Sequence, residues 1–189
     1  MRKKIIVCLL LLALVPSFVM ADFMSLGLNV GYSKSYTDIH EPANTEFWDW
    51  RNISYGPELR INIFFLRLSL ASHIAPLEEG VLFDNSAAVD LYFKFLDSIR
   101  LSLGVGVSMP IYQKGGDWHM GYGDVAFTDF KGLMESSHLT YRVGLGYIFD
   151  NFEIDLQYSL PARGSFKEGD YVPSWEDSTL SLGLSVILF

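Results

Sequence analysis

Histidine and serine are the residues of this sequence whose types could support catalysis or metal binding. The four histidines are His40, His73, His119 and His138. None of them shows the spacing of a zinc site. Two serines directly precede the last histidine, in the order Ser136, Ser137, His138, and hydroxyls beside an imidazole are the groups that nucleophilic catalysis uses. A single histidine beside serines is common by chance, so we expect no metal site, no cofactor and no enzyme.

Nine charged residues fall on the same side of short extended segments as glycines and serines. They are Glu58, Arg60, Arg67, Asp90, Lys94, Arg100, Arg142, Glu153 and Asp155. If that side faces the interior of a closed sheet, the charges form either an ion path or a network of salt bridges. Charges in a confined space need partners, and here four negative charges nearly balance five positive ones. We favour a network that plugs the interior.

All four tryptophans lie between the extended segments, at Trp48, Trp50, Trp118 and Trp175, and Phe47 directly precedes the first of them. The long connecting segments also carry 15 acidic and six basic residues. The aromatic side chains could pack the connections together or touch lipid headgroups. They could also form a recognition surface, because large exposed aromatics favour contacts. The acidic excess could bind divalent cations that bridge surface polysaccharide or lipid.

The elements that must position these residues are strands with two different faces. In MSLGLNVGYS, residues 24–33, bulky apolar residues alternate with small or polar ones, and a period of two indicates a strand. The pattern recurs often enough to predict eight strands and no helix in the mature chain. The predicted strands are 24–33, 53–63, 66–74, 88–95, 99–109, 138–147, 152–160 and 179–188.

The connections between the predicted strands alternate in length. Short turns lie around 64–65, 96–98 and 149–151, and longer segments separate the other strands. The longer segments are 34–52, 75–87, 110–137 and 161–178. Strands of about ten residues with short turns at one end and long loops at the other are typical of a transmembrane β-barrel.

The two faces of the predicted strands indicate which one meets lipid. The apolar faces carry 39 bulky side chains, too many for the narrow interior of an eight-stranded barrel. Glycine and serine, such as Gly27, Gly104 and Ser102, suit a crowded interior. A soluble β-sandwich with a two-sided core is the alternative. We therefore predict an all-β fold, an eight-stranded antiparallel up-and-down transmembrane barrel.

The first 21 residues have the parts of a secretory signal peptide. Arg2, Lys3 and Lys4 precede an apolar run from 5 to 15, and short residues at 19–21 suit a cleavage site. We expect the barrel to occupy residues 22–189. Without the signal peptide the chain has 11 basic and 22 acidic residues and no cysteine, so we expect no disulfide and no nucleic-acid partner.

These strands, turns and loops, together with the signal peptide and the terminal Phe189, resemble the small outer-membrane barrels of Gram-negative-type bacteria. That group includes the OmpA membrane domain, OmpX/Ail and OmpW. The resemblance covers residues 22–189 and implies export to the bacterial outer membrane and contact with its lipids. It also implies that Phe189 is an assembly signal, bound transiently by the barrel-assembly machinery. The sequence departs from the usual signal, because Phe189 is out of phase with Leu188, Val186 and Leu184.

The resemblance leaves three functions open. The first is a structural, surface-display barrel whose extracellular loops mediate interaction or adhesion with a host surface or matrix ligand. The second is an OmpW-like narrow channel, in which the loop aromatics line a pocket for a small apolar solute. The third is a lipid-A-modifying enzyme, a class that uses histidine with serine or acidic partners, as at His138. We expect the first.

Overall fold

The computed structural model describes residues 23–33, 53–77, 80–95, 98–121, 125–126, 129–175 and 177–188. The strands at the start of the chain are β1 (Met24–Ser33), β2 (Ile53–Ile63), β3 (Leu66–Leu77), β4 (Gly80–Phe95) and β5 (Ile99–Lys114). Two short strands and a helix follow, namely β6 (Asp117–Met120), β7 (Val125–Ala126) and α1 (Phe130–Ser136). The last strands are β8 (His138–Phe149), β9 (Phe152–Ser165) and β10 (Thr179–Ile187). The predicted signal peptide, Phe47, Trp48, Trp50 and Phe189 lie outside the described residues.

Eight of the strands close into a barrel. Their order is β1-β2-β3-β4-β5-β8-β9-β10, and β10 pairs with β1. Every neighbouring pair is antiparallel. Closure leaves no free edge in the wall, which a lipid environment requires because lipid cannot bond to backbone groups. The predicted fold class is confirmed.

Apolar side chains lie on the outside of the barrel and polar side chains lie inside, which is the opposite of the arrangement in a soluble protein. Leu28, Leu103 and Leu182 are exposed on the outside, whereas Ser25 and Arg100 are buried inside. Every second residue of β2 is buried, from Ser54 to Asn62. The predicted assignment of the two faces is therefore confirmed, with small, polar and charged residues inside and leucine-rich faces outside.

Glycine makes room for charge inside the wall. A Cβ atom at Gly104 would lie 2.3 Å from Asp90 Oδ1, and one at Gly183 would lie 2.5 Å from Asp155 Oδ1. Gly104 is the register partner of Asp90, and Gly183 is the register partner of Asp155. The missing side chain on one strand thus provides the space that the carboxylate on its neighbour occupies.

The short turns lie where the sequence predicts them. Phe64 and Phe65 join β2 to β3, and Asp150 and Asn151 join β8 to β9. The first residue of each turn has a left-handed backbone, with φ 56° at Phe64 and φ 52° at Asp150. In both residues the Cβ crowds the following carbonyl. The short polar side chain of aspartate can offset this cost by bonding to the local backbone, whereas phenylalanine cannot.

The other end of the barrel differs from the prediction. The segment 75–87 is not a long loop, because β3 and β4 remain paired as far as Leu77 and Gly80. Similarly, β5 continues to Lys114 and pairs with β6, and β9 continues to Ser165. On β4, the polar outward residue Asn85 interrupts the apolar alternation, which is why the predicted strand 88–95 begins later in the sequence than β4 does.

The expectation that the mature chain has no helix is wrong. Helix α1 has seven residues, and Asp129 caps it by accepting a hydrogen bond from the Gly132 backbone N–H at 2.7 Å. Leu133 is its one buried residue, so a helix this short leaves no helical period to detect. No helix in the described part of the chain is long and apolar enough to cross a membrane.

Candidate functional site

The barrel interior contains a balanced cluster of charges. Of the nine predicted interior charges, the structure buries eight, whereas Lys94 is exposed near the short-turn end of β4. The eight residues, called the charge cluster below, are Glu58, Arg60, Arg67, Asp90, Arg100, Arg142, Glu153 and Asp155. Four positive charges face four negative ones, so the charge cluster is neutral without a counterion.

Glu153, on β9, is the centre of the cluster and is completely buried. Arg67 Nη2 donates to both of its oxygens, at 3.0 and 3.2 Å, and Arg100 Nη1 donates to Oε2 at 2.5 Å. Arg60 Nη1 lies 3.7 Å from Oε1. One carboxylate therefore joins arginines from β2, β3 and β5, which binds opposite walls of the barrel to each other.

A second set of contacts surrounds Arg60. Its Nη2 lies 2.6 Å from Glu58 Oε2 and 2.6 Å from Asp155 Oδ1. Asn29 Nδ2 also donates to Glu58 Oε2, at 3.0 Å. Charge-assisted hydrogen bonds of this length are among the stronger ones in proteins. This set links β1, β2 and β9 across the barrel interior.

Arg142, on β8, is held more by neutral groups than by charges. Its Nη1 donates to Ser69 Oγ at 2.8 Å, and its Nη2 donates to Gln157 Oε1. Its ion pairs are longer, 3.7 Å to Asp90 Oδ1 and 3.9 Å to Glu58 Oε1. Arg142 therefore spans the bore at the edge of the cluster nearest the long loops.

Several partners of the charges were not among the predicted site residues. The ring of Tyr92 lies under two guanidinium groups, with Arg67 Cζ at 4.6 Å and Arg100 Cζ at 5.1 Å from its centroid, a favourable cation–π geometry. Asn62 Oδ1 accepts from Arg67 Nε at 2.9 Å. In the sequence, the alternation of the strand places Tyr92 on the inward face, and this was the signal that could have identified it as a partner of the charges.

Little open space remains in the described interior. The cavity bordered by the arginines has a volume of about 10 Å³, room for about one water. Above Arg142 a polar space, called the vestibule, holds about 60 Å³ and is lined by His73, Asp84, Ser108 and Gln157 among others. Arg142 and Gln157 border both spaces and close the bore between them.

Above the vestibule, the continuations of β3, β4 and β5 form an apolar cap with β6 and α1. Ala75, Leu82 and Tyr112 make a buried cluster. The ring of Tyr112 stacks on His119 with centroids 5.4 Å apart. Leu133 of α1 is buried as well. The described part of the connection 110–137, which was predicted to be a long loop, is therefore folded.

The serines beside His138 have structural partners. Ser136 Oγ and Ser137 Oγ donate to Leu133 O at 3.0 and 2.6 Å, which satisfies a carbonyl at the end of α1. His138 Nδ1 lies 3.2 Å from Ala162 O. None of these three bonds joins a serine hydroxyl to the imidazole of His138. Among the described residues, no group of three or more His, Cys, Asp or Glu could hold a metal ion.

The segment between β9 and β10 is held by local bonds. Glu168 Oε2 accepts from the Ser165 backbone N–H at 2.8 Å and from Ser165 Oγ at 3.1 Å, which holds the pKa of this carboxyl below its usual value. Tyr141 donates its hydroxyl to Tyr171 O at 2.7 Å.

Trp175 is 68% exposed on this segment. Trp118, predicted to be in a loop, is on β6 and 45% exposed.

Comparison with known proteins identifies the fold. No protein-family model matches the sequence, and no curated protein is significantly similar to it. Neisserial surface protein A, NspA, is similar with a TM-score of 0.54 and 15% identity, over 87% of this chain and 97% of its own. Ail, the attachment invasion locus protein of Yersinia pestis, solved with the heparin analogue sucrose octasulfate, is similar with a TM-score of 0.50 and 16% identity, over 87% of this chain and 96% of its own. The closed barrel and these likenesses confirm the resemblance at the level of the fold, and the chain is a closed, eight-stranded antiparallel β-barrel like those of NspA and Ail.

Proposed function

We propose that this protein is an outer-membrane barrel that displays its extracellular segments to interaction partners and does not conduct solutes. The observation that carries the proposal is the contrast between its two parts. The charge cluster fills the bore, whereas the long-loop end is folded above the barrel and exposes tryptophan. A rigid scaffold that presents loops is a common way to build a recognition surface.

The charge cluster supports a structural interior rather than an ion path. Each arginine in it contacts at least one carboxylate or neutral acceptor, and the cavity it borders has a volume of about 10 Å³. Opening a pore would separate these buried charges from their partners, which is unfavourable unless water replaces the contacts that are lost. A polar, closed interior also argues against an apolar solute passing through the barrel.

The negative charge of the connecting segments limits which ligands the displayed surface can bind. The four segments predicted as connections carry 15 acidic and six basic residues. Asp84 of this set lines the vestibule, but the remaining acidic excess opposes binding of a sulfated polysaccharide such as the heparin analogue solved with Ail. We propose a neutral or basic host surface or matrix ligand, with Trp175 and the first-loop residues Phe47, Trp48 and Trp50 as contacts. The same acidic segments could bind surface lipid through divalent cations.

The remaining parts of the proposal concern export and assembly. Residues 1–21 act as a signal peptide that is cleaved on export, and Phe189 engages the barrel-assembly machinery. The Ser136 and Ser137 hydroxyls bond to Leu133 O instead of the imidazole of His138, which supports a non-enzymatic role.

Conductance of the refolded protein in planar bilayers tests the proposal, with and without a small apolar solute. We expect silent bilayers, because Arg142, Gln157 and the charge cluster close the bore. A steady small conductance that an apolar solute blocks would establish the OmpW-like channel instead. Mass analysis of lipid A from expressing cells tests the enzyme: an altered lipid A would replace the display proposal.

A further inference from the structure

The strands that continue above the barrel form a sheet with two distinct faces. This extension comprises residues 74–77 of β3, 80–83 of β4 and 110–114 of β5, together with β6 and β7. It lies past Ser108 and His138, the last pair between β5 and β8. Its inner face carries the buried cluster Ala75, Leu82 and Tyr112. The outer face points the other way and is not part of that core.

The outer face of the extension is apolar and aromatic. One row of register partners runs across it, and a second row lies above. The first row is Ile74, Phe83, Ile111 and Met120, and the second is Pro76, Val81, Gln113 and Trp118. Trp118 is exposed and Met120 is buried, whereas the other six are half-buried. The rings of Phe83 and Trp118 lie 6.4 Å apart. None of these eight residues is ionisable, although the connecting segments around them are strongly acidic.

This outer face continues the face of the barrel that meets lipid. Directly below the extension, Leu70, Ala87 and Val107 form an apolar row of register partners on the outside of the wall. The small side chain of Ala87 leaves a groove of about 430 Å³ there, lined by leucines and valines such as Leu70 and Val107. A groove of this kind accommodates a lipid chain, so the wall below the extension is well suited to ordered lipid.

Between the two apolar regions lies one polar row, and its hydrogen bonds are made within the sheet. Ser72 Oγ donates to Asn85 Oδ1 at 2.8 Å. Asn85 Nδ2 lies 3.4 Å from Met109 O and 3.5 Å from Phe83 O. Polar groups that contact lipid must be satisfied by the protein itself. This row therefore permits lipid to cover the wall from Leu70 up to Phe83 without interruption.

The lengths of the strands also indicate that lipid covers the wall to a greater height at β4 than at β10. Strand β4 has 16 residues and β10 has nine. A 16-residue strand tilted at about 40° rises by about 40 Å, whereas the apolar band of such a barrel is about 25 Å tall. Apart from Asn85, the outer side of β4 is apolar from Phe95 to Val81, so among the described strands it extends beyond that band where β10 does not.

We infer that the outer face of the extension is a membrane-docking surface, which rests on the lipid leaflet at the long-loop end. The barrel then contacts lipid higher at β3–β6 than at β1 and β10. In this arrangement Trp118 is an interfacial anchor, where amphipathic aromatic rings are favoured, and not a ligand contact. The inference is independent of the display proposal, which assigns recognition to other aromatic residues.

Tryptophan fluorescence tests the inference in the refolded full barrel. The variant W48F/W50F/W175F retains only Trp118, and the matched control W48F/W50F/W118F retains only Trp175, which is 68% exposed. Each is reconstituted into phosphatidylcholine vesicles with or without bromine atoms on the upper acyl carbons. We expect brominated lipid to remove most of the Trp118 emission and little of the Trp175 emission, and aqueous iodide to do the opposite. Equal quenching of both by iodide would overturn the inference.

A second measurement covers the case in which the tryptophan variants fail to refold. A nitroxide attached to F83C should collide more often with oxygen, which concentrates in lipid, than with a water-soluble nickel chelate. The control label at R163C, an exposed position, should show the reverse preference. If the F83C label is shielded from both reagents, another protein surface covers this face, such as a second copy of the chain, and the membrane-docking surface is wrong.

Discussion

The substitution Glu153→Gln tests whether the charge cluster is essential to the barrel. Glu153 is completely buried, and it accepts from Arg67 and Arg100 while Arg60 lies 3.7 Å away. Glutamine keeps the shape and one acceptor but removes the charge, which leaves these arginines without their shared counterion. Losing one partner of a buried ion pair costs about 3–5 kcal/mol, and we expect a loss of at least about 3 kcal/mol of unfolding free energy.

Urea unfolding of the protein in phosphatidylcholine vesicles, followed by tryptophan fluorescence and heat-modifiable gel mobility, measures this loss. The matched control is Glu168→Gln, which removes an exposed carboxylate that bonds locally to Ser165, and we expect a much smaller change. The double variant of Glu153→Gln with Arg67→Met should lose less than the sum of the two single variants, because the residues contact each other. A Glu153→Gln protein within about 1 kcal/mol of the original would refute the reasoning.

Three further predictions concern the wall, the bore and a turn. Leu103→Arg places a charge in lipid and should block assembly or cost about 2–4 kcal/mol of unfolding free energy in the same urea assay. The control Ser102→Ala, on the inner face, should cost much less. Equal losses of stability in the two variants would mean that the faces are misassigned. Arg142→Met should lower stability but keep conductance small, since the other side chains still fill the bore, and a large steady pore would identify Arg142 as a gate. The Phe64→Asn variant should be more stable than the Phe65→Asn variant by about 1 kcal/mol, because only Phe64 has a left-handed backbone, which asparagine adopts more readily. If the two variants have the same urea midpoint, the backbone at Phe64 is not strained. The two phenylalanines are similarly exposed, at 61% and 58%, so the loss of membrane contact cancels in the comparison.

Alternation along the strands was enough to predict the barrel, because one face meets lipid and the other a crowded interior. The same parity placed Arg60, Arg67 and Glu153 inside, where the structure brings them into contact. It did not reveal which carboxylate would serve several arginines, since that depends on the register between strands distant in sequence.

The sequence was least informative at the long-loop end. Strand β4 continues through Asn85, whose outward polar side chain imitates the end of a membrane strand. Trp118 appeared to be a loop residue because the pairing of β6 with β5 follows a turn at Gly115 and Gly116, which have positive φ. The roles proposed for Phe47, Trp48 and Trp50 stay predictions.

The wide sequence separation of the buried ion pairs has a consequence for how the barrel assembles. Arg67 and Glu153 are 86 residues apart, and Arg100 and Glu153 are 53 apart. Until β9 reaches β3 and β5, the arginines of a partly inserted sheet have no carboxylate at their centre. A half-built barrel would therefore leave Arg67 and Arg100 without Glu153, the carboxylate that they share, so ring closure and the formation of these ion pairs are coupled into one late step. Folding of this chain should be slow, because contacts between residues this far apart in sequence form late.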